Sequence, residues 1–544
     1  MTVFTPRTLL PLCLALGACA GTDKTPTTGI APPAHWQASA DNRQAQFAAD
    51  WWRAFGSPEL AALIDQARQG SFDLAAGRAR VRQASTAAII AGAPLLPEVK
   101  AELSGSYQQL LGDKGFSALD ASSDQPRFDT YATGLSASYE LDFWGGKRAA
   151  RNSAVHGLDA ARFDQATLEL TLLAGVASSY LQVLALDEQR RIAKSNLDNA
   201  RQVLQLVDAR QGAGAATQLE LAQQRSLVAG RERALERLHQ QAGEARVALA
   251  ALLGQPVQTL SLKGEKLDAL QWPGTGAGLP SELLGRRPDI AAAEARLAAA
   301  DADVRVARAA MLPSLTLSAN LGTGSEQFSD VLRNPYFGVA AGLAAPIFNA
   351  GRLDASHQQR QAREEELLAN YRAAIVAAFG DVERALLAID GLDRQRQWQA
   401  EELAQAQRAF DLAENRYRAG AETLLTVLET QRSLYQAEDE AVQLRLARLQ
   451  AAVGLYKALG GGWTPDANQL AERTPGYPIR TRRSIARGSE FIRDWQCTTR
   501  RVSPDLHPAS PAIGIDLMPR LVEVKSDLHP TLRGTPCLWE RIHS

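Results

Sequence analysis

The residues that carry chemistry in most proteins are few here and poorly placed for it. Seven histidines and four cysteines are scattered without the short spacings that hold a metal ion. Cys497, His507, His529 and Cys537 lie near the C-terminus at wide, irregular intervals, so no metal site is expected there. No glycine-rich phosphate loop follows a strand and no nucleophile elbow is present, so enzymatic chemistry is unsupported. A formal net charge of −1 gives no reason to expect a nucleic-acid partner.

One cysteine stands in a context with a chemistry attached. Arg7 precedes the apolar run Leu9–Leu16, which is too short to span a bilayer and reads as a secretory signal. Leu16-Gly17-Ala18-Cys19 then resembles the bacterial lipobox, in which cleavage leaves the cysteine as a lipidated first residue. A covalent lipid on Cys19 is the only non-protein group expected. Ala20, rather than an acidic residue, follows it, which by the same resemblance favours sorting to the outer membrane. Beyond this segment no stretch approaches 18 apolar residues. Any further entry into a membrane is therefore expected as strands.

The elements that follow are written twice. Leu74–Pro97 recurs as Ile290–Pro313, Leu141–Arg148 loosely as Ala345–Arg352, and Arg210–Thr217 as Arg416–Thr423, at offsets of 216, 204 and 206 residues. A unit this long used twice implies a pseudo-symmetric architecture rather than a short-period solenoid. Each copy contains two stretches of period-two alternation. Val99, Ala101, Leu103, Gly105 and Tyr107 oppose Lys100, Glu102, Ser104, Ser106 and Gln108. Tyr131 through Leu141 alternate likewise, as do Leu315–Gly322 and Phe337–Leu343. Each is about the 9–11 residues that a tilted strand needs to cross a bilayer. Four strands cannot close a barrel, and an open edge in lipid has no partner for its backbone groups. Three copies giving four strands each would supply twelve.

Between the strands run Ala/Leu/Gln/Arg/Glu tracts with almost no helix breakers. Ala149–Gln211 and Arg352–Ala419 hold 63 and 68 residues, or ~95 and ~100 Å of helix. Shorter helices are expected at Phe72–Leu96 and Gln218–Leu253, and again at Asp289–Leu312 and Leu424–Leu459. Stacked end to end, each pair nearly matches a long helix. Leu168, Leu172, Val176, Leu181 and Leu184 form a narrow stripe at three-and-four spacing, as do Leu386, Leu392, Leu403 and Phe410 more sparsely. Such a seam suits coiled-coil packing rather than a thick core. Hairpin turns fall at Gly212–Thr217 and Gly420–Thr423, and Pro97 and Pro313 mark the changes from helix to strand. The expected fold is mainly α with a transmembrane β part, built from two pseudo-symmetric repeats.

The organisation follows: signal peptide 1–18, lipidated N-terminal segment and equatorial region 19–70, first repeat 71–260, linker 261–280, second repeat 281–463, and a Pro/Arg/Ser/Thr-rich extension 464–544. From about Pro475 helical periodicity stops, and the tail reads as disordered or non-native sequence.

With these residues assembled, the chain resembles the TolC-type outer-membrane efflux family, in its NodT/OprM-like lipoprotein branch. The resemblance rests on Trp51-Trp52-Arg53-Ala54-Phe55, Gly285-Arg286-Arg287-Pro288-Asp289-Ile290, Ala293-Glu294-Ala295-Arg296-Leu297, Arg416-Tyr417-Arg418-Ala419-Gly420 and Thr430-Gln431-Arg432-Ser433-Leu434-Tyr435. It implies a homotrimer in the outer membrane of a Gram-negative bacterium, with a twelve-stranded barrel continued by a periplasmic helical barrel. It also implies a passive exit duct for small molecules such as drugs and toxic compounds. A periplasmic adaptor and an RND-type inner-membrane transporter would hand them over. Within the same architecture the outlet of a type I protein secretion system is the alternative; a lipid-anchored coiled-coil spacer is an alternative of another kind.

The resemblance also implies site residues. In related channels the tip of the second hairpin forms the closure. Carried over by motif, Arg416 and Tyr417 lie just before the turn, and Leu425, Glu429 and Arg432 on the helix after it. Glu429 and Arg432 are three apart and share a helix face, so they can pair within or between chains or remain a solvated surface pair. Three Leu425 side chains would make an apolar constriction. The adaptor is expected at the tips, at Arg210 and Gly214 in the first hairpin and Arg418, Gly420 and Glu422 in the second. The first hairpin departs from the second, with Gln211 in place of Tyr417, which weighs against a gating role for Arg210.

Overall fold

The structure is a computed structural model that describes residues 29–38, 49–109, 127–274, 276 and 278–464. Cys19 and the C-terminal extension lie outside the described residues.

A short 3-10 turn, Trp51–Phe55, leads into α1 (Pro58–Gly70) and α2 (Phe72–Gly92), the latter ending in a 3-10 turn over Ala93–Leu95. Pro97 then admits β1 (Glu98–Gln109), followed by β2 (Arg127–Leu141), α3 (Gly146–Gly212) and α4 (Gln218–Leu252). After the one-turn α5 (Pro280–Leu283) the order repeats as α6 (Pro288–Ala309), β3 (Ser314–Ser325), β4 (Pro335–Ala344), α7 (Arg352–Arg418) and α8 (Leu424–Ala458). Both long helices hold 67 residues and both closing helices 35, so the duplication is closer in structure than in sequence.

The chain stays helical over such lengths because nothing in α3 or α7 breaks it. Matching devices end it: Gly214 and Gly420 take φ of 73° and 77°. The amides of Ala215 and Ala421 then reach back to the Arg210 and Arg416 carbonyls, both at 2.8 Å. This is the glycine-dependent helix stop. Thr217 and Thr423 each cap the helix that follows.

The stacked short helices are some ten residues shorter than the long helix beside them, a wider gap than the sequence implies. The outer end of α2 tightens into a 3-10 turn over Ala93–Leu95, which the residue pattern does not distinguish from α-helix. The inner ends of the stacked helices meet at two repeat-related contacts. Gly254, after α4, approaches the Gly70 carbonyl so closely that a Cβ would overlap it. Gly460, after α8, does the same at the Arg286 carbonyl. Both glycines have positive φ.

The largest core lies at this level. Trp51, Trp52, Phe55, Leu60 and Ile64 pack on Leu172–Ala185 of α3, with Leu249 and Leu253 from the end of α4 and Leu449 and Val453 from α8. One stretch of α3 is apolar enough, by length and composition, to cross a membrane. This corrects the expectation that no such stretch follows the signal segment. Over half of the stretch is buried inside the protein, which makes it a core helix at the centre of the fold.

Candidate channel wall and helical tips

A conduit through lipid needs a wall that is apolar outside and polar inside. The four strands pair antiparallel in the order β1-β2-β3-β4, and their register builds such a wall. Apolar rows run Val99–Ala137–Ala319–Val339 and Ala101–Leu135–Leu321–Phe337, continued by Tyr139–Leu317–Ala341 and Leu141–Leu315–Leu343. Between them run Glu98–Ser138–Ser318–Ala340, Lys100–Ser136–Asn320–Gly338 and Glu102–Gly134–Gly322–Tyr336. A slip of one residue at any seam would turn one strand's lipid-facing set inward; all three seams agree. Gly134, Gly322, Gly338 and Gly342 keep the polar face low, so it lines a space instead of filling it.

The dimensions fit a membrane. Ten residues separate the Leu141–Leu315 row from the Tyr131–Ser325 row. That is ~33 Å along a strand, or ~25 Å at a tilt of about 40°, the height of an outer-membrane apolar band. Tyr131 meets Phe328 edge-on at 5.7 Å at the far end. Phe143, Trp144, Ile347 and Phe348 are exposed at the helical end. These are the positions of interfacial girdles. No described strand pairs with the outer edges of β1 and β4.

At the opposite extreme of the long helices the two hairpin tips share one apolar cluster. Val203, Val207 and Leu221 of the first hairpin meet Phe410, Tyr417, Leu424 and Leu428 of the second. Tyr417 is only 2% exposed, so its side chain lies in the interior of the tip. Burial pushes its hydroxyl pKa up, against the opposing pull of the Arg210 charge. Arg210 lies over the ring, 4.5 Å from its centroid, and donates to the Tyr417 carbonyl.

The other expected tip residues sort by exposure. Arg416 pairs loosely with Glu422 at 3.6 Å, and Arg418 with Glu414 at 2.7 Å. Glu422 accepts from the Thr423 amide and the Thr426 hydroxyl, both at 3.1 Å. Those bonds hold its carboxyl below the usual range. Glu429 and Arg432 are exposed and make no ion pair with each other within the chain. Leu425 is 58% exposed at the second position of α8. Leu219, at the second position of α4, is 67% exposed. Leu219 is not among the residues that the motifs single out, although the repeat offset from Leu425 points straight to it.

The duplicated helices, the bilayer-high sheet and the paired tips together describe a conduit, and relatives decide which kind. The profile of the outer membrane efflux proteins matches residues 63–255 and 279–461, the two repeats. The chain belongs to that family. The channel is 60% identical over 466 residues to the pyoverdine export outer membrane protein OpmQ of Pseudomonas aeruginosa, covering 86% of this chain and 98% of that one. The cation efflux system protein CusC of Escherichia coli is 30% identical, covering 84% and 99%. Among solved structures the outer-membrane channel OprN superposes with a TM-score of 0.75 at 28% identity, covering 81% and 99%. The open-state MtrE outer membrane channel of Neisseria gonorrhoeae gives 0.72, also at 28%, covering 81% and 98%. This protein is thus an outer-membrane efflux channel, and the spacer alternative falls away.

The family motif Arg286-Arg287-Pro288-Asp289 proves architectural. Arg287 forks onto Asp289 at 2.6 and 3.0 Å and also reaches Asp381 of α7 and the Ala458 carbonyl ending α8. Burial alone would raise the Asp289 carboxyl, but the Arg287 guanidinium outweighs it and holds it low. One side chain thereby ties the start of α6 and the end of α8 to the middle of α7. Only residues far apart in the chain reveal that role.

Proposed function

We propose that the channel is a homotrimer whose twelve strands close one barrel. It exports pyoverdine or a compound of that kind, received from a periplasmic adaptor and an inner-membrane transporter. The observation that carries the trimer is the pair of unpaired sheet edges beside a lipid-facing surface, a combination that water-free surroundings forbid unless another copy pairs with them. Helix α7 supports it. Ile375, Val382, Leu386 and Ile389 are buried within the chain. Val376, Leu387 and Trp398, spaced every eleven residues, are exposed on a second face about 130° round the helix. A helix with two separate apolar faces suits the wall of a closed ring. Mass measurement in detergent and conductance in a planar bilayer test this; a monomer without conductance overturns it.

The exported compound is proposed from identity to the pyoverdine export protein over nearly its whole length. Loss of pyoverdine from culture medium on gene deletion, restored by this chain, is the expected result. The RND type of the transporter comes from resemblance alone, and co-purification from cross-linked cells identifies the true partner. The adaptor is placed at the tips, where Arg210, Gly214, Arg418, Gly420 and Glu422 cluster around the turns. The closure is placed at Leu425, Glu429 and Arg432, whose side chains are exposed and so remain available to other copies. Leakage of a normally excluded dye should rise in Leu425→Ser; unchanged leakage removes that constriction. Lipidation at Cys19 is checked by mass spectrometry of the mature N-terminus.

A further inference from the structure

The two connections that leave the sheet for the long helices differ in a way the repeat makes informative. In the first repeat, Phe143 and Trp144 follow β2, and the Trp144 indole Nε1 donates to the Pro313 carbonyl at 2.7 Å. Pro313 immediately precedes β3, the neighbour of β2 in the sheet. The connection is thus pinned to the strand entry beside it. In the second repeat Ile347 and Phe348 hold the corresponding place after β4, but no strand entry lies beside them within the chain. They are 92% and 88% exposed. Ala350, two residues on, has φ of 51° and is the one non-glycine residue at positive φ among the described residues. Its turn is closed within the chain by the Arg352 amide on the Asn349 carbonyl at 3.1 Å and the Leu353 amide on Asn349 Oδ1 at 3.2 Å, which aims Ile347 and Phe348 away from the chain.

The missing counterpart exists at the other edge of the sheet. Pro97 precedes β1 as Pro313 precedes β3. Leu96, Ile89 and Ile90 beside it are also exposed. We infer that Ile347 and Phe348 of one copy pack over Leu96 and Pro97 of the next copy, with Ile89 and Ile90 flanking. Between chains, this repeats the junction that Trp144 and Pro313 make within one. The occupant of this apolar surface is a second copy of the chain, as continuity demands. Once β4 pairs antiparallel with β1 of a neighbour, the residues below the end of β4 lie beside those below the start of β1. The inference rests on the trimer reading and extends it to a named contact.

The two junctions are not equal. The Phe348 side chain has no N–H to donate, so the contact between copies lacks the side-chain hydrogen bond that Trp144 makes. A Cβ at Gly146, the first residue of α3, would lie 2.7 Å from the Ala309 Cβ. By the offset that matches Trp144 to Phe348, the counterpart of Gly146 is Ala350, whose Cβ keeps it from approaching a neighbour as closely. The junction between copies is wider and held by apolar contact alone, so the barrel parts there first.

The test uses full-length protein carrying Cys497→Ser and Cys537→Ser. Leu96→Cys and Phe348→Cys are added singly and together, and a short bis-maleimide is applied to membranes. The double variant should give covalent dimers and trimers on denaturing gels, with neither single variant doing so. Phe348→Trp, which restores a donor facing Pro97, should raise the temperature at which the native trimer dissociates, and Phe348→Ala should lower it. Trimers that form normally but show neither the ladder nor the opposed shifts overturn the junction and leave the trimer standing. A parent protein that is monomeric overturns the trimer itself.

Discussion

Arg210, near the end of the first long helix, covers the ring of Tyr417, near the end of the second, and donates to its carbonyl oxygen. The two hairpins of one chain are thereby latched at the tip, through a side chain that the mismatch between the hairpin motifs argues against. A cation over an aromatic ring contributes ~0.5–2 kcal/mol. Arg210→Ala should loosen the second hairpin without dissolving the trimer. The expected outcome is increased uptake of a large antibiotic normally excluded by the outer membrane, with trimer yield unchanged. Tyr417→Phe should behave like the parent, because the buried Tyr417 hydroxyl makes no hydrogen bond. Tyr417→Ala should cost ~3–5 kcal/mol through the cavity it leaves. Leakage in Tyr417→Phe equal to that in Arg210→Ala would refute the latch.

Tyr180 sits fully buried in the equatorial core and donates to Glu59 at 2.9 Å, with Glu265 at 3.2 Å. Burial drives its hydroxyl pKa far up, so it stays a donor throughout the physiological range. Tyr180→Phe strips a hydrogen bond from a buried carboxylate, a loss of roughly 1–3 kcal/mol. A lowered midpoint in detergent unfolding, with conductance retained, is the expected result.

Glu438 is half-buried beside α3, and burial raises its carboxyl above the ordinary range even though Asn196 donates to it at 2.8 Å. A carboxyl raised by folding weakens the fold as it ionises. The penalty is absent below the unfolded value of ~4.3 and grows as pH rises towards the folded one. Glu438→Gln should therefore raise the melting temperature at pH 7.5 and leave it nearly unchanged at pH 4. Melting curves at both values check the sign; a destabilised variant at pH 7.5 contradicts it.

Glycines separate into two groups by their surroundings. Gly460→Ala and Gly254→Ala would place a Cβ against a backbone oxygen at positive φ. Both should sharply reduce the amount of folded protein in membranes. Gly157 and Gly230 lie inside helices with nothing within 4 Å of a built Cβ. Alanine there should stabilise by ~0.5–1 kcal/mol. Thermal scans of the four variants distinguish the groups.

Much of the frame is legible in the residues themselves. Breaker-free tracts place the long helices to within a few residues, and alternation places the strands, because each property is local and repeats along the chain. Pro97 and Pro313 mark helix-to-strand changes because a ring without an N–H acts wherever it stands. The tips are legible as turns, since Gly214, Gly420, Thr217 and Thr423 carry their conformations in their residue types. What those turns touch is not legible.

Residue order alone determined the duplicated frame: which segments are helix, which are strand, and which side of each strand prefers lipid. Only the tertiary structure decided that Arg210 holds Tyr417, that Arg287 joins three helices, that Gly254 and Gly460 seat the stacked helices, and that Leu219 matches Leu425 in the open. Conformational preference is set by neighbours a few residues away, whereas a contact between residues two hundred apart depends on distances that no local pattern encodes.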